Sequence, residues 1–258
     1  MEEICRDLQG EHDALDAVVA DLTEEEWSGP TLAEGWDVKE TIVHLIQADH
    51  AAFLSATDPD AFAAALEAAM RGEGLEVFGS SEGKSGADVL AWWRQQRTDM
   101  VDALAARGPK DRLPWFGPDM GAKSFATARL METWAHGRDI ADAVGADIPP
   151  SDRLRHVADI GVRTRGWSYI NRRLTPPEAE VRVELAAPSG DRWDWGPAEA
   201  ADRVTGTALD FCLVVTQRRH VDDTALVASG PAATEWLELA QAFAGPPTDV
   251  DTARRQAD

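Results

Sequence analysis

Cysteine occurs only twice in this chain, at Cys5 and Cys212. Two thiols so far apart build no disulfide framework, and the reading is a cytoplasmic protein with reduced thiols. Basic residues are scarce as well: 25 Lys plus Arg stand against 46 Asp plus Glu, a formal net charge of −21. A phosphate backbone or an anionic bilayer surface needs a concentrated positive field, so neither nucleic acid nor membrane is expected as a partner. No apolar run reaches the roughly 18–20 residues that span a bilayer. The acidic start, MEEICRDLQG, does not read as a secretory signal.

What is present points to a folded protein. The 258 residues are 44% apolar and include ten Trp, which argues against a disordered chain and is ample for a core. The charge is uneven: residues 1–150 carry 12 basic against 29 acidic residues, while residues 151–258 carry 13 against 17. Such a shift suggests two units. Pro149-Pro150 is the linker candidate.

In the first unit the apolar spacing is helical. Ile4, Leu8, Leu15, Val18, Val19 and Leu22 make one stripe over residues 3–21. Thr23 with Glu26 is a capping box before a short turn, and Asp37 with Glu40 opens a second long helix. An alanine-rich helix after Asp60 should stop at Gly72, and GSSEGKSG at 79–86 reads as a loop. A helix carrying Val89, Trp93, Met100 and Leu104 follows, and another runs from about 125 to 144, with Ser124 as cap and Gly145 at its end. Four long helices joined by loops suggest a bundle.

After the linker, residues 152–173 read as one more helix, assignable to either unit. The period then changes: Val181, Val183 and Leu185 alternate with polar residues like a strand, and Pro188–Asp191 turn the chain into a return strand over 192–195. A helix is expected over 198–217, a strand over 225–228 and a last helix over 231–243. The fold class is thus two-domain α+β, a four-helix bundle over 1–150 followed by a small α/β domain over 151–247, with 248–258 as a disordered tail.

The segment TARLMETWAHGRDIADAVG, 127–145, carries the chemistry. Glu132 and His136 stand one helical turn apart on the face that also holds Phe125, Ile140 and Ala143. A carboxylate on a buried face needs a partner, and a divalent cation shared with His136 is one. The best third ligand is His44, at the flank of the apolar stripe of the second long helix. Two His and one Glu would leave coordination positions open, as in a reactive centre rather than a structural one. The rival reading pairs Glu132 with Arg129, three residues earlier, and leaves no metal. Asp139 falls near the same face and could orient a ligand.

These residues also carry a resemblance. Gly35-Trp36-Asp37-Val38 leading into His44-Leu45, together with Glu132-Thr133-Trp134-Ala135-His136-Gly137-Arg138-Asp139, resemble the DinB-like metal-binding superfamily. Within it, the chain is similar to the actinobacterial-type, mycothiol-dependent maleylpyruvate isomerase family, which has a small C-terminal α/β domain. The resemblance implies His44, Glu132 and His136 as ligands to a divalent metal, zinc being the expected ion. It also implies a mycothiol-like thiol as cosubstrate and a small-molecule substrate. No residue specifies maleylpyruvate, so that substrate is not carried over.

The remaining candidates are weaker. Cys5 and Cys212 read as core residues rather than nucleophiles. His12 reads as core or boundary packing, and His50 as a surface or helix-end residue. The loop Trp115–Met120 could wall a pocket or plug the bundle. Arg218 and Arg219 read first as basic residues suited to a helix C-terminus, with recognition of an anionic thiol or substrate as the alternative. Three functions follow: a metal- and thiol-dependent transferase or isomerase, a non-catalytic metal- or ligand-binding protein, and a metal-free structural bundle. The catalytic group in the first would be a metal-held water or thiol, with Arg129 and Asp139 supporting the ligands.

Overall fold

The computed structural model describes residues 1–33 and 35–247. The tail expected to be disordered lies outside the described residues. The chain divides into two compact units, Met1–Ile148 and a second one beginning at Pro149.

The first unit is helical. α1 (Glu2–Val19) buries Ile4, Leu8, Leu15 and Val19, and α2 (Glu24–Trp27) is the short turn opened by the Thr23–Glu26 box. α3 (Val38–Thr57) starts where Asp37 and Glu40 cap each other: Glu40 N donates to Asp37 Oδ1 at 2.7 Å and Asp37 N to Glu40 Oε2 at 2.9 Å. α4 (Pro59–Ala68) gives way to a turn of π-helix at Ala69–Glu73, where Gly72 has φ 113°. α5 (Gly86–Ala105) begins at a third capping box, Ser85 with Asp88. β1 (Arg112–Leu113) and β2 (Met120–Gly121) form a two-residue antiparallel pair.

α6 (Ala122–Val144) ends on left-handed Gly145, as expected, but starts before Ser124 and without a side-chain cap. Its first N–H groups find acceptors elsewhere: Ala122 N donates to the Asp111 carbonyl at 2.9 Å and Lys123 N to that of Pro109 at 3.1 Å. The segment entering β1 thus replaces a capping side chain. α1, α3, α5 and α6 form the bundle, α3 against α5 and α1 against α6. Leu15, Ile42, Leu45, Ile46, Val89, Trp93 and Ile140 share one core.

The second unit combines helices with a mixed sheet. The helix expected over 152–173 breaks into α7 (Leu154–Arg163) and α8 (Arg165–Ile170). At the break the Thr164 hydroxyl donates to the Ile160 and Gly161 carbonyls. β3 (Val181–Ala186) and β4 (Arg192–Trp195) form the expected hairpin. The helix expected over 198–217 is corrected. Its first half is β5 (Asp202–Thr207), and only Ala208–Val215 is helical, as α9. The β-branched Val204, Thr205 and Thr207 pair in parallel with β3, Val183 opposite Val204, and sheet pairing overrides the helical spacing. β6 (Val227–Ser229) completes the order β4-β3-β5-β6, and α10 (Pro231–Leu239) follows. The architecture is a helical bundle followed by a small sheet-and-helix unit. No helix among the described residues is long and apolar enough to cross a membrane.

Candidate metal centre

The bundle helices bring His44 of α3 against Glu132 and His136 of α6. Along α6, Glu132 Oε2 lies 3.5 Å from His136 Nε2. Across the helix pair, the His44 and His136 rings meet edge to face with centroids 5.0 Å apart. One donor atom from each of the three residues lies within 4.8 Å of the other two. Nitrogen and oxygen ligands at about 2.0–2.2 Å around one tetrahedral ion sit roughly 3.4 Å from each other. The Glu132–His136 separation matches that spacing, and the His44 donor lies close enough for this donor set to fit a divalent cation. His136 is buried, whereas His44 and Glu132 are half-buried.

The electrostatics favour a ligating carboxylate. Burial would raise the Glu132 carboxyl, but the hydrogen bond and charge of His136, with the charges of Arg129 and His44, pull it down to about 2. Glu132 is therefore ionised at any physiological pH. Behind His136, Nδ1 lies 3.1 Å from the buried Asp139 Oδ2, a carboxylate that fixes the ring from its far side.

Trp36 had no role assigned from sequence. Its indole lies 4.7 Å from the His44 ring and 5.8 Å from the His136 ring, centroid to centroid. The loop before α3 holds it in place: Thr31 N donates to the Trp36 carbonyl at 2.9 Å and Trp36 N to the Ala33 carbonyl at 3.0 Å. The signal was present in the sequence, since Trp36 stands immediately before the Asp37 cap of the helix that carries His44.

The rival pairing does not form. Arg129 Nε and Nη2 donate instead to Asp49 Oδ1 at 3.0 and 2.9 Å, inside the bundle. Sequence reading missed Asp49. Its signal was a single acidic residue among Leu45, Ile46, Ala52 and Ala56 on the apolar face of α3.

His12 is buried and stands edge-on to Trp93, and His50 Nδ1 contacts the Phe78 carbonyl at 2.8 Å, so neither joins the triad. Cys5 and Cys212 are both buried, and they form no disulfide with each other. The Trp115 ring stacks on Phe62 and packs against Phe125 near the start of α6. From Phe125 to His136 the helix rises about 16 Å, so these contacts lie well along α6 from the triad. In the second unit Arg218 Nη1 donates to the Thr216 carbonyl at 2.6 Å and Arg219 Nη1 to that of Arg218 at 2.7 Å. Both residues follow the end of α9 at Val215.

Comparison with known proteins bears on the fold and the family. The family model for the mycothiol maleylpyruvate isomerase N-terminal domain matches residues 8–141, and a model described as wyosine base formation matches residues 177–229. An uncharacterized protein of Mycobacterium tuberculosis, found in two strains, is 48% identical over 244 residues, covering 93% of this chain and 95% of its own length. The crystal structure of the mycothiol-dependent maleylpyruvate isomerase superposes with a TM-score of 0.58 at 17% identity, covering 96% of each chain. A histidine-to-alanine mutant of that isomerase gives 0.54, covering 90% of this chain and 95% of its own. At that identity the likeness is one of fold, whereas the N-terminal model spans more than half of the sequence. The chain therefore belongs to the mycothiol maleylpyruvate isomerase N-terminal domain family.

Proposed function

We propose that this protein is a divalent-metal-dependent enzyme that uses a low-molecular-weight thiol of the mycothiol type. Its substrate class is a small electrophile, processed by S-transfer, addition or isomerisation. The observation that carries the reading is the convergence of His44, Glu132 and His136, with donor atoms within 4.8 Å of one another and two of the three residues only half-buried. These three side chains would hold the cation, with zinc as the ion. A divalent cation bound there favours thiolate over thiol and polarises an electrophilic carbonyl.

The chain's own residues prepare the site. Glu132 supplies the permanent negative charge, and Asp139 holds the His136 ring. Trp36 walls the two imidazoles on their loop side. Neither cysteine is available as a nucleophile, because both are buried. The thiol therefore comes from outside the protein. In an isomerisation it would add to one carbon of a double bond, allow rotation about the resulting single bond, and leave again with the electron pair it brought. A small reduced-thiol cosubstrate supports a cytoplasmic setting.

Two alternatives compete: a binding protein that keeps a metal or small ligand without turnover, and a bundle without metal. The Arg129–Asp49 pair speaks against the second, because it leaves Glu132 without the arginine partner that reading requires. Elemental analysis of wild type and His44→Ala is the first test. Zinc in the wild type and its loss on substitution are expected, and equal content in both would remove the assignment. Turnover of model electrophiles with added mycothiol, abolished by Glu132→Ala, separates enzyme from binder. Full activity without any thiol would exclude the thiol chemistry.

A further inference from the structure

Arg129 and Asp49 form an ion pair in the interior of the bundle, with side chains only 4% and 1% exposed. Arg129 Nε and Nη2 both donate to a single oxygen, Asp49 Oδ1, while Asp49 Oδ2 is buried with no hydrogen-bond partner among the described residues. A buried pair with an oxygen left over is a poor way to stabilise a fold. Two desolvated charges need excellent geometry and further hydrogen bonds to break even, and an apolar pair of similar volume often does better. Its position suggests another role. Arg129 precedes Glu132 by three residues on α6, the spacing at which an arginine and a glutamate on one helix face pair with each other. A guanidinium carries donors only and requires an acceptor when buried. Two carboxylates could satisfy this one, Asp49 across the bundle and Glu132 along the helix.

We propose that Asp49 is a positioning residue for the metal centre: by taking Nε and Nη2 of Arg129 it keeps that guanidinium off Glu132 and leaves the Glu132 carboxylate to His44, His136 and the cation. The proposal rests on the metal reading above. It makes the metal-free bundle an arrangement that this sequence avoids through one residue on a different helix. Without the Asp49 charge, Arg129 has Glu132 as its remaining carboxylate within one helical turn, and ligand and counter-ion become competitors for the same oxygens.

Zinc affinity, measured by competition with a chromophoric chelator on the full chain, tests this directly. Wild type is expected to take one zinc per chain, and Asp49→Asn to bind it at least about tenfold more weakly, the scale on which outer partners tune metal sites. Removing the competitor should then rescue binding, so Asp49→Asn with Arg129→Met is expected to return to within about threefold of wild type. A merely structural Asp49 would lower the melting temperature of the single variant without this loss and rescue. Should Asp49→Asn not fold, two doubles that share it replace the comparison, one with Arg129→Lys and one with Arg129→Met. The lysine double is expected to bind zinc at least tenfold more weakly, and equal affinities would overturn the proposal. Zinc bound equally by folded Asp49→Asn and wild type, or no rescue in the methionine double, also overturns it alone. A wild type that takes up no zinc removes the metal reading itself, and this proposal with it.

Discussion

His136 and Asp139 face each other inside the bundle, ring Nδ1 to carboxylate Oδ2, at 3.1 Å. With the Asp139 carboxylate as acceptor, Nδ1 is the nitrogen that donates in this pair. Nε2 is the ring nitrogen turned toward Glu132, 3.5 Å from its Oε2. Asp139→Asn should weaken zinc binding about 10–100-fold while leaving the helix content unchanged. Chelator competition alongside circular dichroism measures both. An affinity within twofold of wild type would show that the ring is held by packing alone.

The pH dependence of stability should carry the mark of His12. Burial, with the charges of Arg97 and Arg129, holds its pKa well below the ordinary histidine value of 6.5. In the folded protein the ring stays neutral, whereas the unfolded chain takes up a proton as the pH falls through 6.5. The unfolded state then binds more protons, so the stability present above 6.5 declines as the pH falls toward the folded-state pKa. Asp16, lowered by its hydrogen bonds and charges with Arg94 and Arg97, adds a second decline below its ordinary 3.8. Melting curves between pH 7 and 5 should slope downward for wild type, and His12→Phe should flatten that slope.

Two glycines of the bundle should respond oppositely to alanine. Gly137 sits inside α6, and a Cβ there would meet Leu15 and Ile148 at 3.8–3.9 Å, ordinary contact distances. Gly137→Ala should stabilise the protein by about 0.5–1 kcal/mol through backbone entropy. At Gly86 a Cβ would overlap the Trp27 indole, so Gly86→Ala should cost about 1–3 kcal/mol through overpacking. Urea unfolding of both variants checks the pair, and equal effects would contradict the packing described.

Neither cysteine should react in the native state. Burial raises the Cys5 thiol, and Cys212 is fully buried with its Sγ near the Leu154 carbonyl. An aromatic disulfide reagent should label both thiols in denaturant and neither under native conditions. Fast native labelling of one equivalent would reopen the question of a protein nucleophile.

The bundle was legible because its signals are local. The Asp37–Glu40 and Thr23–Glu26 boxes, the apolar stripes and Gly145 each act within a turn or two of the residues that carry them. The same holds for Glu132 and His136, four apart on one helix. The pairing of Arg129 was not legible, because the choice between Glu132 and Asp49 depends on which helix packs across from α6. β5 was misread for a related reason: Val204 and Thr205 are committed to a strand by β3, a partner some twenty residues earlier in the chain. The start of α6 depends likewise on carbonyls of Pro109 and Asp111 that no capping pattern announces.

His44 and the Glu132–His136 pair belong to helices separated by most of the first unit's chain, so their donors meet only when that unit is folded. A cation gripping all three would act as a removable staple between α3 and α6. By mass action it would stabilise the folded unit in proportion to RT ln(1 + [metal]/Kd). Supply of the ion would then set how much of the protein is folded as well as how much is active.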